Sequence, residues 1–163
     1  MPIRNTEISA KLVDIGTLLK DSKVWADAQP DPSLGAHLAT YINVYILGVL
    51  EESIELLLRE RAHQPKDDCV ANYICQDIND KFRNPRRQSI GEVLKKFNPD
   101  FSTAFYARFA QNCSEIKALD SINDIKRNLA HMGAYDLKLT LQDVEGYFNR
   151  VIPILEEIES ILS

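Results

Sequence analysis

Within residues 120–133 an arginine, a histidine and two carboxylates fall on one side of a helix. At 100° per residue, Asp120, Asp124, Arg127 and His131 lie within about 60° of one another. Ile122, Ile125, Leu129 and Met132 form an apolar stripe on the other side, suited to a core. A histidine in the last turn feels the negative end of the helix dipole, which favours its protonated form by about 0.3–1 kcal/mol. Its ordinary pKa, near 6.5, lets it give or take a proton at neutral pH. An arginine one turn earlier offers a permanent charge and a fork of donors that suits a phosphate. Such a pair can cleave RNA without metal, the imidazole moving protons and the guanidinium stabilising the phosphorane.

Asn128 lies beside this face and can hydrogen-bond the phosphate, while Asp120 or Asp124 can orient His131 or pair with Arg127. The same spacing also describes an ordinary helix surface, because Asp124 and Arg127 at i,i+3 make a common ion pair. Both readings stand at the level of spacing.

The elements that must position this face are helical. The chain has 163 residues, 45% hydrophobic and 26% charged, with only six glycines. That length is enough for one domain with a real core, and the composition favours helix. Asn5 or Thr6 caps a first helix carrying Ile8, Leu12, Ile15 and Leu19, which ends before Pro30 and Pro32. Ser33 is placed to cap a second helix that runs to about Ala62, with apolar residues broad enough to touch several neighbours. A third is expected from Cys69 to Phe82, followed by a break at Asn84-Pro85-Arg86-Arg87. Ser89-Ile90-Gly91-Glu92 matches a capping box that opens a short helix through Phe97. Residues 101–116, with Phe105, Phe109 and Cys113 at steps of four, predict one further helix.

Gly133 stands where a left-handed residue would end the Arg127–His131 helix. Thr140-Leu141-Gln142-Asp143 starts the last helix, with Leu139 and Val144 as a hydrophobic staple. Val144, Phe148, Val151, Leu155, Ile158 and Leu162 then repeat at heptad-like steps, interrupted only by Pro153. No alternating strand pattern appears. The fold expected is an all-α up-and-down bundle spanning residues 1–163 as a single domain.

Charge and cysteines narrow the function. The net charge is −5, which argues against a generic nucleic-acid coat. Lys81, Arg83, Arg86, Arg87, Lys95 and Lys96 against Glu92 nevertheless give a local +5, a patch that can steer a polyanion or simply solvate. Cys69, Cys75 and Cys113 are an odd set without a Cys-x-x-Cys pair, as expected of free thiols rather than a disulfide or zinc framework. No role is assigned to His37 or His63. No secretory leader is apparent, and Asn43, Glu51, Glu52 and Glu55 interrupt the most apolar window, 38–58. A cytoplasmic protein with no membrane partner, no metal and no cofactor is expected.

The segment Lys126-Arg127-Asn128-Leu129-Ala130-His131-Met132-Gly133 resembles the Arg-Asn-x-x-Ala-His-Gly signature of HEPN domains, most of all the RiboL-PSP-HEPN branch. A long apolar second helix with mid-helix acids (Glu51, Glu52), a motif helix leading into a glycine, and an amphipathic last helix are similar to that family's layout. Lys126 lies about 140° from His131 and Arg127 about 40°, so Arg127 is the partner. The resemblance implies a helical bundle, here with an additional helical insertion, and a homodimer in which two motif helices form a composite site. It implies a metal-independent endoribonuclease of toxin–antitoxin, abortive-infection or phage-defence type, with an antitoxin or other defence-system partner. Arg127, His131 and Asn128 would be catalytic, Asp124 and Glu52 supporting, and Lys126, Arg83, Arg86 and Arg87 RNA-binding. The alternative is a catalytically inactive member that binds RNA or nucleotide, or scaffolds a partner protein.

Overall fold

Seven helices make up the ordered architecture among the described residues, and no strand is present there: α1 (Thr6–Asp27), α2 (Pro32–His63), α3 (Asp68–Lys81), α4 (Arg87–Phe97), α5 (Pro99–Arg108), α6 (Ser114–Met132) and α7 (Leu141–Leu162). The structure is a computed structural model that describes residues 3–65, 67–132 and 138–163, with backbone alone for residues 32, 68, 79–81, 131 and 132.

Helices α2 and α7 are the centre. α2 packs on α1, α3, α6 and α7, and α7 packs on α1, α2, α5 and α6. Breadth of apolar surface explains α2, whose Ile42, Ile46, Leu47, Leu50, Ile54 and Leu58 are buried on several sides. By length and composition α2 is apolar enough to cross a membrane, yet half of its most apolar window is buried inside the fold. The heptad-like stripe of α7 is buried throughout, with Pro153 inside an otherwise continuous helix.

Ion pairs and caps set the direction of α1. Its first residues meet the far ends of the central pair, because Glu159 accepts from the Arg4 and Asn5 amides at 2.8 and 2.7 Å. Glu60 accepts from the Asn5 side chain at 2.8 Å. At the other end of α1, Lys23 pairs with Glu145 near the start of α7. α1 therefore runs antiparallel to both α2 and α7.

Several boundaries differ from the sequence expectation, each for a local reason. Asp31, not Ser33, caps α2: Pro32 fills the first turn and the Asp31 carboxylate accepts from the Ser33 amide at 2.9 Å. Those bonds to Ser33 hold the Asp31 carboxyl below its usual range. α4 begins at Arg87, so Ser89 is its third residue, accepting from the Arg86 amide at 2.8 Å rather than heading a box with Glu92. The expected helix over 101–116 is two helices. Phe109 leaves helical geometry and gives its carbonyl to Arg87 Nε at 2.7 Å, while Cys113 closes a turn on Ala110. The apolar steps continue through that break because Phe109 is buried where the chain turns.

The α4–α5 pair packs tightly at one point. A Cβ on Gly91 would overlap the far end of the Tyr106 ring, so a larger residue there would require that side chain to shift.

Candidate functional site

Two amides fasten α6 at Ile122 and Asn123. Asn123 is buried and donates from Nδ2 to the Pro85 carbonyl at 2.8 Å and the Leu119 carbonyl at 2.9 Å. Asn43 of α2, also buried, donates to the Ile122 carbonyl at 3.0 Å. Ile122 beside them is fully buried. An amide N–H left unpaired in a core is costly, so these donated bonds tie the helix to the 82–86 segment, while the Oδ1 atoms of Asn43 and Asn123 are buried without a hydrogen-bond partner. The sequence carried one signal for them, polar residues set on apolar stripes.

Above this clasp lies an ion-pair chain. Arg86 reaches from the 82–86 segment to Asp120 at 3.2 Å and to Asp124 at 2.8 Å. Arg127 approaches the same Asp124 oxygen at 3.5 Å, and its side chain is 61% exposed. Asp120, Asp124 and Arg127 thus share one face, as the helical arithmetic requires. Asn128 is exposed beside Arg127. His131 lies in the last turn of α6; its side chain is outside the described residues, as is Gly133.

Lys126 takes the other flank of α6. Its Nζ lies 3.4 Å from Glu51, which also accepts from the Asn84 amide. Asn84 has φ 54°, a left-handed turn that asparagine tolerates and that lets the chain leave α3 for Pro85. Glu51, Glu55, Phe82, Arg83, Asn84 and Lys126 line a cleft of about 490 Å³. Burial pushes the Glu55 carboxyl up from its usual range, opposed by Arg59 at 3.2 Å.

The acids of α2 part company here. Glu51 faces α6, whereas Glu52 pairs with Lys11 of α1 at 2.8 Å. The basic stretch is likewise divided. Arg87 serves the fold, donating to Phe109 and stacking 4.3 Å above the Tyr106 ring, and Lys96 pairs with Asp77 at 2.7 Å. Arg83 and Lys95 are exposed. Among the described residues no three His, Cys, Asp or Glu side chains are grouped to hold a metal ion. Cys69, Cys75 and Cys113 are free thiols.

Comparison with protein-family models, curated proteins and solved structures finds no match to this chain.

Proposed function

We propose that the chain is an HEPN-type bundle acting as a metal-independent endoribonuclease of toxin or phage-defence type in the cytoplasm. The observation that carries this reading is an exposed Arg127 one turn before His131, on a helix whose opposite side is anchored in the core. In the reaction the RNA 2′-oxygen attacks phosphorus, the 5′-oxygen leaves, and a cyclic phosphate forms. One His131 takes the 2′-proton and a second protonates the leaving oxygen, since in-line displacement needs a base and an acid on opposite sides. A twofold homodimer supplies the second histidine, because an isologous contact sets like beside like. Arg127 stabilises the phosphorane and Asn128 holds a non-bridging oxygen. Asp124 restrains Arg127. Arg83 and Lys126, flanking the 490 Å³ cleft, extend the phosphate track.

The test is cleavage of single-stranded RNA by purified protein in excess EDTA. Wild type cuts and His131→Ala loses about a hundredfold or more in rate with its melting curve unchanged. Cleavage that EDTA abolishes, or that survives in His131→Ala, ends the proposal. The second reading is a non-cutting module that binds RNA or a partner protein. That reading gains if RNA is retained in a salt-dependent way and never cut.

A further inference from the structure

The end of α2, α3 and α4 line a cavity of about 400 Å³. Its volume lies in the range of small-ligand sites, and its walls are mainly apolar, from Val70, Tyr73 and Ile74 of α3 to Val93 and Phe97 of α4. Val70 and Tyr73 of that lining are 48% and 76% exposed.

Three charged residues are among the lining: Arg61, Asp77 and Lys96. Lys96 and Asp77 cancel each other at 2.7 Å. Arg61 gives one N–H to Gln64 and sits 5.5 Å from the Phe101 ring centroid. A guanidinium has five N–H donors in a planar fork. The lining therefore carries one net positive charge beside apolar walls, and Arg61 keeps N–H donors beyond the one given to Gln64, suited to a planar, singly charged acid.

We propose that this cavity binds an amphipathic monocarboxylate, its hydrocarbon part between α3 and α4 and its carboxylate on Arg61. A dianion would meet Asp77, and a neutral hydrocarbon would leave Arg61 unused. The site is separate from the α6 face and does not depend on the nuclease reading.

Octanoate and 1-octanol, alike in tail and different in head, are titrated into the ¹⁵N-labelled chain. The expected result is saturable shifts confined to the end of α2, α3 and α4, with octanoate binding at least about tenfold tighter. Arg61→Gln removes that preference with an unchanged circular dichroism spectrum. Ile74→Trp, which fills a half-buried position, blocks both ligands and keeps the test valid if Arg61→Gln is unstable. Equal binding of the two, preference retained in Arg61→Gln, or no saturation by about 5 mM would overturn the proposal. So would shifts at these amides produced by an amphipathic helical peptide and not by octanoate.

Discussion

The two halves of α6 are treated differently by the rest of the molecule. From Ser114 to Asp124 the helix is clasped: Ile116, Leu119 and Ile122 are buried, Asn123 is bonded to the 82–86 segment, and Arg86 bridges two of its carboxylates. From Lys126 onward the described side chains are half-buried or exposed. A rigid stem thus presents an open tip. Groups that act on a large substrate need this combination, since positioning requires a fixed backbone and access requires an uncovered side chain.

Substitutions in the stem break the comparison first. Ile122→Ala removes a fully buried side chain and is expected to cost about 2–5 kcal/mol in urea unfolding. If the loss is below 1 kcal/mol, on the order of a surface substitution, the stem is not the anchor. Asn123→Ala deletes the bond to Pro85 and is expected to cost about 1–3 kcal/mol, with faster amide exchange over residues 82–86. Unchanged exchange there would mean that the amide does not hold the segment. Arg86→Gln is smaller still. Its side chain is 39% exposed, so screening limits the expected loss to about 1 kcal/mol or less, vanishing in high salt.

The smallest effect concerns Glu55, whose carboxyl is raised by burial. A folded-state pKa above the unfolded one means that the native chain holds its proton longer. Stability therefore falls as pH rises from the ordinary glutamate value through the raised one. Glu55→Gln flattens that slope in melting curves recorded between about pH 4 and 6. An identical slope in the variant would show that Glu55 ionises as freely when folded as unfolded.

Periodicity made some of this legible from residues alone. The α7 stripe announced its buried face because six apolar residues repeat at helical steps, and the Thr140 cap followed from residue type. The face of Asp120, Asp124 and Arg127 emerged from arithmetic on one helix. What depended on other elements was hidden. Nothing local distinguishes Glu51 from Glu52, though one turns to α6 and the other to α1. Arg86 and Arg87 read as a basic patch, yet their partners lie some 20–40 residues away on Phe109, Asp120 and Asp124. The end of α5 was masked by Phe109, which keeps an apolar rhythm while the backbone leaves the helix.

Cleavage rates of Arg127→Ala and Arg86→Gln, measured on one RNA in EDTA, test the division of α6 most directly. The account predicts that loss of the tip arginine lowers the rate by about a hundredfold or more with stability intact, while loss of the stem arginine lowers stability and leaves the rate within about threefold. A rate that follows Arg86 and ignores Arg127 would contradict it.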